Sequence, residues 1–464
     1  MVLQRAPAQA RVWGFCDSSN SNCQVTVTFF GQTLTATVTN TNWEVYLPAT
    51  PAGGPYNVTA TDNLSNTAEL ANVLFGDVFI CSGQSNMQMT VSQSVNATEN
   101  IIEAQNYQNI RIFTVGQGTA SNTPLSEFAT IVQTWSVASS ATVGGPDWQF
   151  FSGVCWYFAK NLYVKEQIPL GMVSSNWGGT TVQQWSAPPV LSGCQVSPPS
   201  NAGELWNAMI VPLLPMSIKG TLWYQGESNV GAAKAYSCLF PAMIESWRTN
   251  FGQDFGFYFV MLAPWTNYPG DVTVPELRES QEAALALPEV GMAVATDLGD
   301  INSPYGNIHP MDKETVGYRL QLQALKLTYG RNVQADGPLF QSASSNPIRE
   351  VTDDQYEISV NVFFHSETVG QYLTLVDNTC PSGAEGYCAG FELEVSNSAG
   401  ATELLNGSVE ISSSAVSIIV SAVVSDPSTV VTNIRYGWAD WPVCTLYNSA
   451  NLPAAPFFSG PLDA

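Results

Sequence analysis

Strand-like and helix-like runs alternate between about residues 75 and 330, and this alternation limits the fold more than any other feature of the chain. Val78-Phe79-Ile80-Cys81 is an unbroken apolar run, the pattern of a strand buried on both faces. Phe151 to Lys165 reads as a helix, Leu170 to Ser175 as a strand and Ile218 to Tyr224 as another strand. Ala233 to Asn250 is helical, Gly256 to Leu262 a strand, Val274 to Leu287 helical, Gly291 to Thr296 strand-like and Lys313 to Tyr329 helix-like. Units of this kind build an α/β fold, a mostly parallel sheet with helices on both faces. The flanks differ. Residues 1–74 alternate in Gln24 to Phe30 and Thr33 to Thr39 and are punctuated by Pro51 to Pro55, which predicts a small β-sandwich. Residues 331–464 return to β character in Glu357 to Phe364 and Val409 to Val424. The expected domains are therefore 1–74, 75–330 and 331–464, in keeping with the length.

Gly83-Gln84-Ser85-Asn86-Met87 follows the apolar run and sets a serine at the carboxyl end of its strand, where open α/β sheets place their chemistry. A serine hydroxyl needs a base. The chain holds two histidines, His309 and His365. His309 lies in Asn307-Ile308-His309-Pro310-Met311-Asp312, a strand-to-helix crossing in which Pro310 favours extended geometry and Asp312 can cap the next helix. His365 follows Val362-Phe363-Phe364 and reads as a structural residue. In chemical terms Ser85 is a candidate nucleophile for a carbonyl carbon, and His309 the base that takes its proton and returns it to the leaving group. An oxyanion needs donors already in place. The Ser85 amide, an amide of the pair Gly178-Gly179 and the Asn229 side chain are the candidates.

Four motifs resemble the sialate O-acetylesterases of the SGNH hydrolase superfamily. They are Gly83 to Met87, Trp177-Gly178-Gly179-Thr180, Trp223 to Asn229 (Trp-Tyr-Gln-Gly-Glu-Ser-Asn) and Ile308-His309-Pro310. The resemblance runs from Met1-Val2-Leu3-Gln4-Arg5 to Trp438-Ala439-Asp440-Trp441-Pro442. It implies an SGNH-type, flavodoxin-like sheet and a serine esterase that removes acetyl groups from sugars, with no cofactor and no metal. It also implies a glycine and an asparagine in the oxyanion hole, here Gly179 in preference to Gly178, and Asn229.

The sequence departs from that superfamily at the third catalytic member. The residue three before the histidine is commonly Asp; here it is Gly306. Backbone support of the imidazole ranks first as a replacement, followed by Asp297, Glu227 and Asp300. Candidate substrate contacts are Gln84, Trp177, Gly178, Gln184 and Trp185. Arg278 joins them as a bidentate partner for a sugar carboxylate, against the alternative of a salt bridge to Glu276 or Glu279.

Charge bears on the substrate. Fifteen Lys and Arg against 38 Asp and Glu leave a net charge of −23, which opposes nucleic acid and anionic membranes as partners. A sialate is also an anion, so it would need a local cation. Three functions are therefore weighed. The first is a sialate O-acetylesterase and the second an acetylesterase on neutral polysaccharides such as acetylxylan. The third is a non-catalytic glycan-binding protein on an esterase scaffold, which the set Ser85, Asn229 and His309 argues against. Thirteen tryptophans suit sugar stacking, though most must be core.

Nine cysteines point to the secretory route, outside the cell or in lysosomes. Cys16–Cys23, Cys380–Cys388 and Cys194–Cys238 are candidate bridges, while Cys81 and Cys155 lie in apolar runs and read as buried free thiols. None of the spacings reads as a zinc site. Glycosylation sequons occur at Asn57, Asn63, Asn96 and Asn406. No signal peptide is legible, and the start at Met1-Val2-Leu3-Gln4 suggests a trimmed form of the chain. No apolar run reaches the roughly 18 residues of a membrane span.

Overall fold

The computed structural model describes residues 1–17, 20, 22–398 and 400–462. These fall into two compact units. The first comprises Met1–Gln225, Cys238–Tyr258 and Lys313–Gln321, and the second Gly226–Ser237, Phe259–Asp312 and Leu322–Ala464.

One strand organises the first unit. Strand β1, Thr67–Gly83, is exposed over its first six residues and buried over the remainder. The change follows the sequence. Thr67 to Asn72 is mixed polar and apolar, whereas Val73 to Gly83 is close to continuously apolar. The first part pairs antiparallel with Gly53–Asp62, inside the N-terminal β layers. The second part pairs parallel with the central strands. The expected boundary near residue 74 thus falls within a single strand. Asp77, buried in its middle, is held by Arg5 through two bonds of 2.9 and 3.0 Å and by Gln4 at 2.8 Å. A buried carboxylate requires such partners.

The sheet of the first unit adds β2 Ile110–Val115, β3 Ile131–Val137, β4 Leu170–Asn176 and β5 Gly220–Tyr224. Their order is β3-β2-β4-β1-β5. Gly256–Met261 and Val290–Val294 are the further strands β6 and β7. β2, β4, β1 and β5 run parallel to one another. β3 is antiparallel to β2, so the sheet is mixed. The connection from β2 to β3 contains no helix. A parallel return needs a crossover of a dozen or more residues, usually helical.

Helix α1, Gly153–Glu166, starts at Ser152, whose hydroxyl accepts from the Cys155 amide. Phe158 meets Phe79 of β1 edge to face, with centroids 5.0 Å apart. Cys155 is bonded to Cys81, which corrects the expectation of two free thiols. Burial in an apolar run is compatible with either state. Here the helix rests on the strand with Cα atoms 5.9 Å apart, within the reach of a bridge. Cys16–Cys23, Cys194–Cys238 and Cys380–Cys388 are also bonded, and Cys444 is a buried thiol. Helix α2, Ala233–Phe251, sets Phe240 and Trp247 against Trp223 of β5. With Trp156 and Trp185, Trp223 and Trp247 are fully buried, so these indoles are core.

The N-terminal layers alternate as expected. Val25–Phe29 reads buried-exposed along its length and closes over Val12, Val45, Val58 and Phe75. Thr33 to Thr39 is two short strands, Gln32–Thr35 and Thr37–Thr39, in different sheets.

In the second unit, Gln355–Phe364 pairs antiparallel with Phe340–Ser345 and Ser417–Val424, while Phe391–Ser396 pairs with Thr402–Asn406 and Val430–Tyr436. Val360, Val362, Leu393, Ile418, Val420, Ile434 and Tyr436 share one core, which makes this region sandwich-like. The four sequon asparagines are exposed. No helix of the described residues is long and apolar enough to cross a membrane.

Helix α3, Thr273–Glu282, carries Glu279 and Glu282 one turn apart. Burial, and then the Glu279 charge, push the Glu282 carboxyl from an ordinary 4.5 up to about 8. Between those values the unfolded chain releases a proton that the folded chain retains. The contribution to stability is therefore fully present below pH 4.5 and is lost as pH rises toward 8. Glu282→Gln is expected to raise the melting temperature at pH 8 and to change it little at pH 4. Equal shifts at both pH values would contradict this.

Candidate active site

In the first unit the end of β1 makes a tight passage. Gly83 has φ +136°, and a Cβ there would sit 2.2 Å from the Tyr224 carbonyl oxygen at the end of β5. Only glycine permits that approach. The Gln84 amide donates to the same carbonyl at 2.9 Å. The chain then turns into a single helical turn, Ser85–Gln88. Gln84, Asn86, Met87 and Gln88 are buried, and Ser85 alone in that run is half-buried. Gln84 Oε1 accepts from Gln225 at 3.2 Å, which places Gln84 in the support of the turn.

The end of β4 lies beside it. The Trp177 amide donates to the Gly83 carbonyl at 3.0 Å. The Gly178 amide donates to Gln88 Oε1 at 2.6 Å, and a Cβ on Gly178 would lie 3.1 Å from the Ser85 Cβ. Gly179 has φ +73° and open space around it. Its amide has no hydrogen bond among the described residues. The two glycines therefore differ: the Gly178 amide is committed to Gln88, whereas Gly179 is exposed and left-handed. Trp177 is half-buried. Trp185 is sealed from any acceptor pocket, while Gln184 is half-buried. Gln184 Oε1 closes its own turn by accepting from the Thr181 amide at 2.9 Å. Trp185 is fully buried, with Nε1 donating to Thr180 Oγ1 at 2.9 Å.

Lys313 is a residue the sequence reading gave no role. It is fully buried; its Nζ donates to Asn86 Oδ1 at 2.7 Å and lies 5.4 Å from the centre of the Tyr224 ring. It thus stands behind the residue that follows Ser85. Its position four residues after His309 was the available signal.

In the second unit, Gly226, at φ +150°, opens the short turn Glu227–Asn229, in which Asn229 is buried and Glu227 half-buried. His309 is fixed by its own loop. Nδ1 lies 2.8 Å from the Tyr305 carbonyl oxygen, the His309 amide donates to Gly306 O at 2.8 Å, and Ser303 Oγ donates to His309 O at 2.6 Å. A carbonyl only accepts, so the Tyr305 contact requires the proton on Nδ1 and leaves Nε2 as the basic nitrogen. Gly306 has φ +88°, and the left-handed turn it makes lies between that carbonyl and the imidazole. An Asp in its place would be strained there.

Asn307 Nδ2 donates to Thr266 Oγ1 at 2.6 Å, and the next two amides, of Asn267 and Tyr268, donate to Asp440 Oδ2 at 2.8 and 3.1 Å. The C-terminal Trp438 to Pro442 motif thereby supports the histidine loop, a role its sequence did not reveal. Burial pushes the Asp440 carboxyl up, against the opposing pull of those two amides. Arg278 belongs to this support. It is 1% exposed and donates to the carbonyls of Leu262, Ala263, Ala439 and Asp440. This corrects the expected substrate contact, because the guanidinium is sealed in and engaged with backbone. Asp297 accepts from the Tyr447 hydroxyl at 3.3 Å, and Asp300 from the Asn302 amide at 3.2 Å. His365 begins a separate turn after Gln355–Phe364, half exposed beside Glu367. No group of three or more His, Cys, Asp or Glu among the described residues is arranged to hold a metal.

Residues 75–325 match the family model "Carbohydrate esterase, sialic acid-specific acetylesterase". Sialate O-acetylesterases of Pongo abelii and Homo sapiens are each 35% identical over 99% of this chain and 90% of their own. A crystal structure of a carbohydrate acetylesterase from Xanthomonas citri superposes with a TM-score of 0.81, at 30% identity, over 98% of this chain and 96% of that one.

Proposed function

The chain belongs to the sialic acid-specific acetylesterase family of carbohydrate esterases, and from that premise we propose that Ser85 and His309 carry its reaction on O-acetylated sialic acids. It is a carboxylic ester hydrolase that removes O-acetyl groups from sugars. In the proposed mechanism, Ser85 Oγ attacks the acetyl carbonyl while His309 Nε2 accepts its proton. The same proton then passes to the departing sugar oxygen, and water repeats the sequence on the acetyl-serine to release acetate. The oxyanion is stabilised by the Ser85 and Gly179 amides and the Asn229 side chain.

The observation that carries this reading is the half-buried Ser85 at the carboxyl end of β1, with Gly178 packed against it and the left-handed Gly179 exposed beside it. The Nδ1 contact to Tyr305 supports a dyad oriented by backbone, with Asp297 and Glu227 as the carboxylates to test against it. Trp177, Gly178 and Gln184 remain the candidate substrate contacts. The domains 1–74, 75–330 and 331–464 are proposed as part of the same reading, with the first boundary lying inside β1, and four disulfides support a secreted or lysosomal site of action.

Acetate release from 4- and 9-O-acetylated sialic acids, acetylated xylan and p-nitrophenyl acetate tests the substrate. The acetylated sialic acids are expected to give the highest kcat/KM among the sugars. Preference for xylan would replace the sialate reading with the neutral-polysaccharide one.

A further inference from the structure

Beside the histidine loop, the second unit contains a cavity of about 300 Å3 that has no place in the mechanism above. It is lined by Asp297, Asp300 and Asn302 from one segment, Asn378 and Thr379 from a second and Trp441 from a third. We propose that this cavity is a subsite for the uncharged, hydroxyl-bearing part of the sugar. The proposal rests on the sugar-esterase reading.

Three observations carry it. The first is location. The Ser303 amide donates to the Asp300 carbonyl at 3.2 Å, and Ser303 Oγ donates to the His309 carbonyl at 2.6 Å. One residue therefore ties the cavity wall to the backbone of the proposed base. The second is construction. A Cβ on Gly299 would lie 2.5 Å from the Trp441 ring, so the glycine lets the indole approach the backbone closely. Asn378 Nδ2 donates to the Cys444 carbonyl at 3.2 Å, and the Cys380–Cys388 bridge follows directly after Thr379. The walls are held before any ligand arrives. The volume lies at the low end of the roughly 300–1,000 Å3 typical of small-molecule sites.

The third observation is chemical. Two carboxylates, two carboxamides and two threonines, Thr296 and Thr379, line the cavity, and no Lys, Arg or His does so among the described residues. Carboxylates accept hydrogen bonds from hydroxyls, and carboxamides both donate and accept. A polyol satisfies that set. A sugar carboxylate would meet two like charges without a cation. The subsite therefore selects the neutral face of an acid sugar, and the sialate carboxylate points away from it.

Asn378→Ala and Thr379→Val test this against wild type, using 9-O-acetylated sialic acid and p-nitrophenyl acetate in parallel. The ratio of the two kcat/KM values is expected to fall at least tenfold, mainly through KM for the sugar. A ratio within twofold of wild type overturns the subsite, whether both activities persist or both fall together through misfolding. A wild-type enzyme active on p-nitrophenyl acetate but on no acetylated sugar would instead refute the sugar-esterase reading, and the subsite with it. Chelation followed by added calcium covers the other ligand that carboxylates attract. A ratio that collapses on chelation and returns with calcium would make the cavity a cation site and overturn the proposal.

Discussion

Ser85→Ala is expected to lower acetyl-ester hydrolysis by on the order of 10⁴–10⁶-fold, as loss of a nucleophile does in other serine hydrolases. The fold should persist. The Ser85 side chain lies at the first position of a single helical turn, and the framework around it is made by other groups. The Gln84 amide bonds to Tyr224 O, the Trp177 amide to Gly83 O, and the Gly178 amide to Gln88 Oε1. Alanine retains the backbone that makes these bonds and removes one half-buried hydroxyl. Purified variant and wild type should therefore show the same circular dichroism and the same melting temperature to within a few degrees. More than a few per cent residual turnover would remove Ser85 from the mechanism.

His309→Ala should cost about 10³-fold or more in kcat, and His365→Ala should be near normal. The contrast follows from their surroundings. His309 has its Nδ1 proton directed at Tyr305 O, whereas His365 is half exposed at the start of a separate turn. The same contact separates a dyad from a triad. If the carbonyl orients the ring, Asp297→Asn and Glu227→Gln should each retain substantial activity. An orienting carboxylate behaves differently, because its amide favours the wrong tautomer and costs about 10⁴-fold. Collapse of either amide variant to the level of Ser85→Ala, with unchanged circular dichroism, would name that residue the third member.

The sequence was most legible where backbone geometry demands a residue type. Gly83, the glycine pair and the apolar run before them mark the strand ends, and the predicted helices agree with α1, α2 and α4 (Lys313–Leu327) to within two residues at each end. It was least legible where a partner has no side-chain signature. The Tyr305 carbonyl is a backbone atom, so the sequence allowed support of the imidazole but could not name the residue. Arg278 was misread for the same reason, since four carbonyls satisfy it and no carboxylate announces the arrangement. Cys81 and Cys155 sit in runs that would look the same with thiols, and their pairing depends on the approach of α1 to β1. The antiparallel β3 depended on the absence of a helix in a loop, which a pattern built from helices passes over. Trp185 shows the ambiguity of an aromatic near a motif: it is a support for the glycine loop and faces no solvent.

Strand β1 has a consequence for how such proteins can be recombined. Its first part is one rung of the N-terminal layers and its last part carries the turn to Ser85. Side chains alternate along a strand, so a slip of one residue against Gly53–Asp62 would turn every later side chain over, Val78 through Cys81 included. The nucleophile's placement is thus indexed to pairing some ten residues upstream. A chimera spliced near residue 74 would join two halves of a single measuring rod, and would inherit the donor's count along with its layers. The region before the catalytic sheet is, in that sense, the ruler from which the sheet is set rather than an interchangeable module.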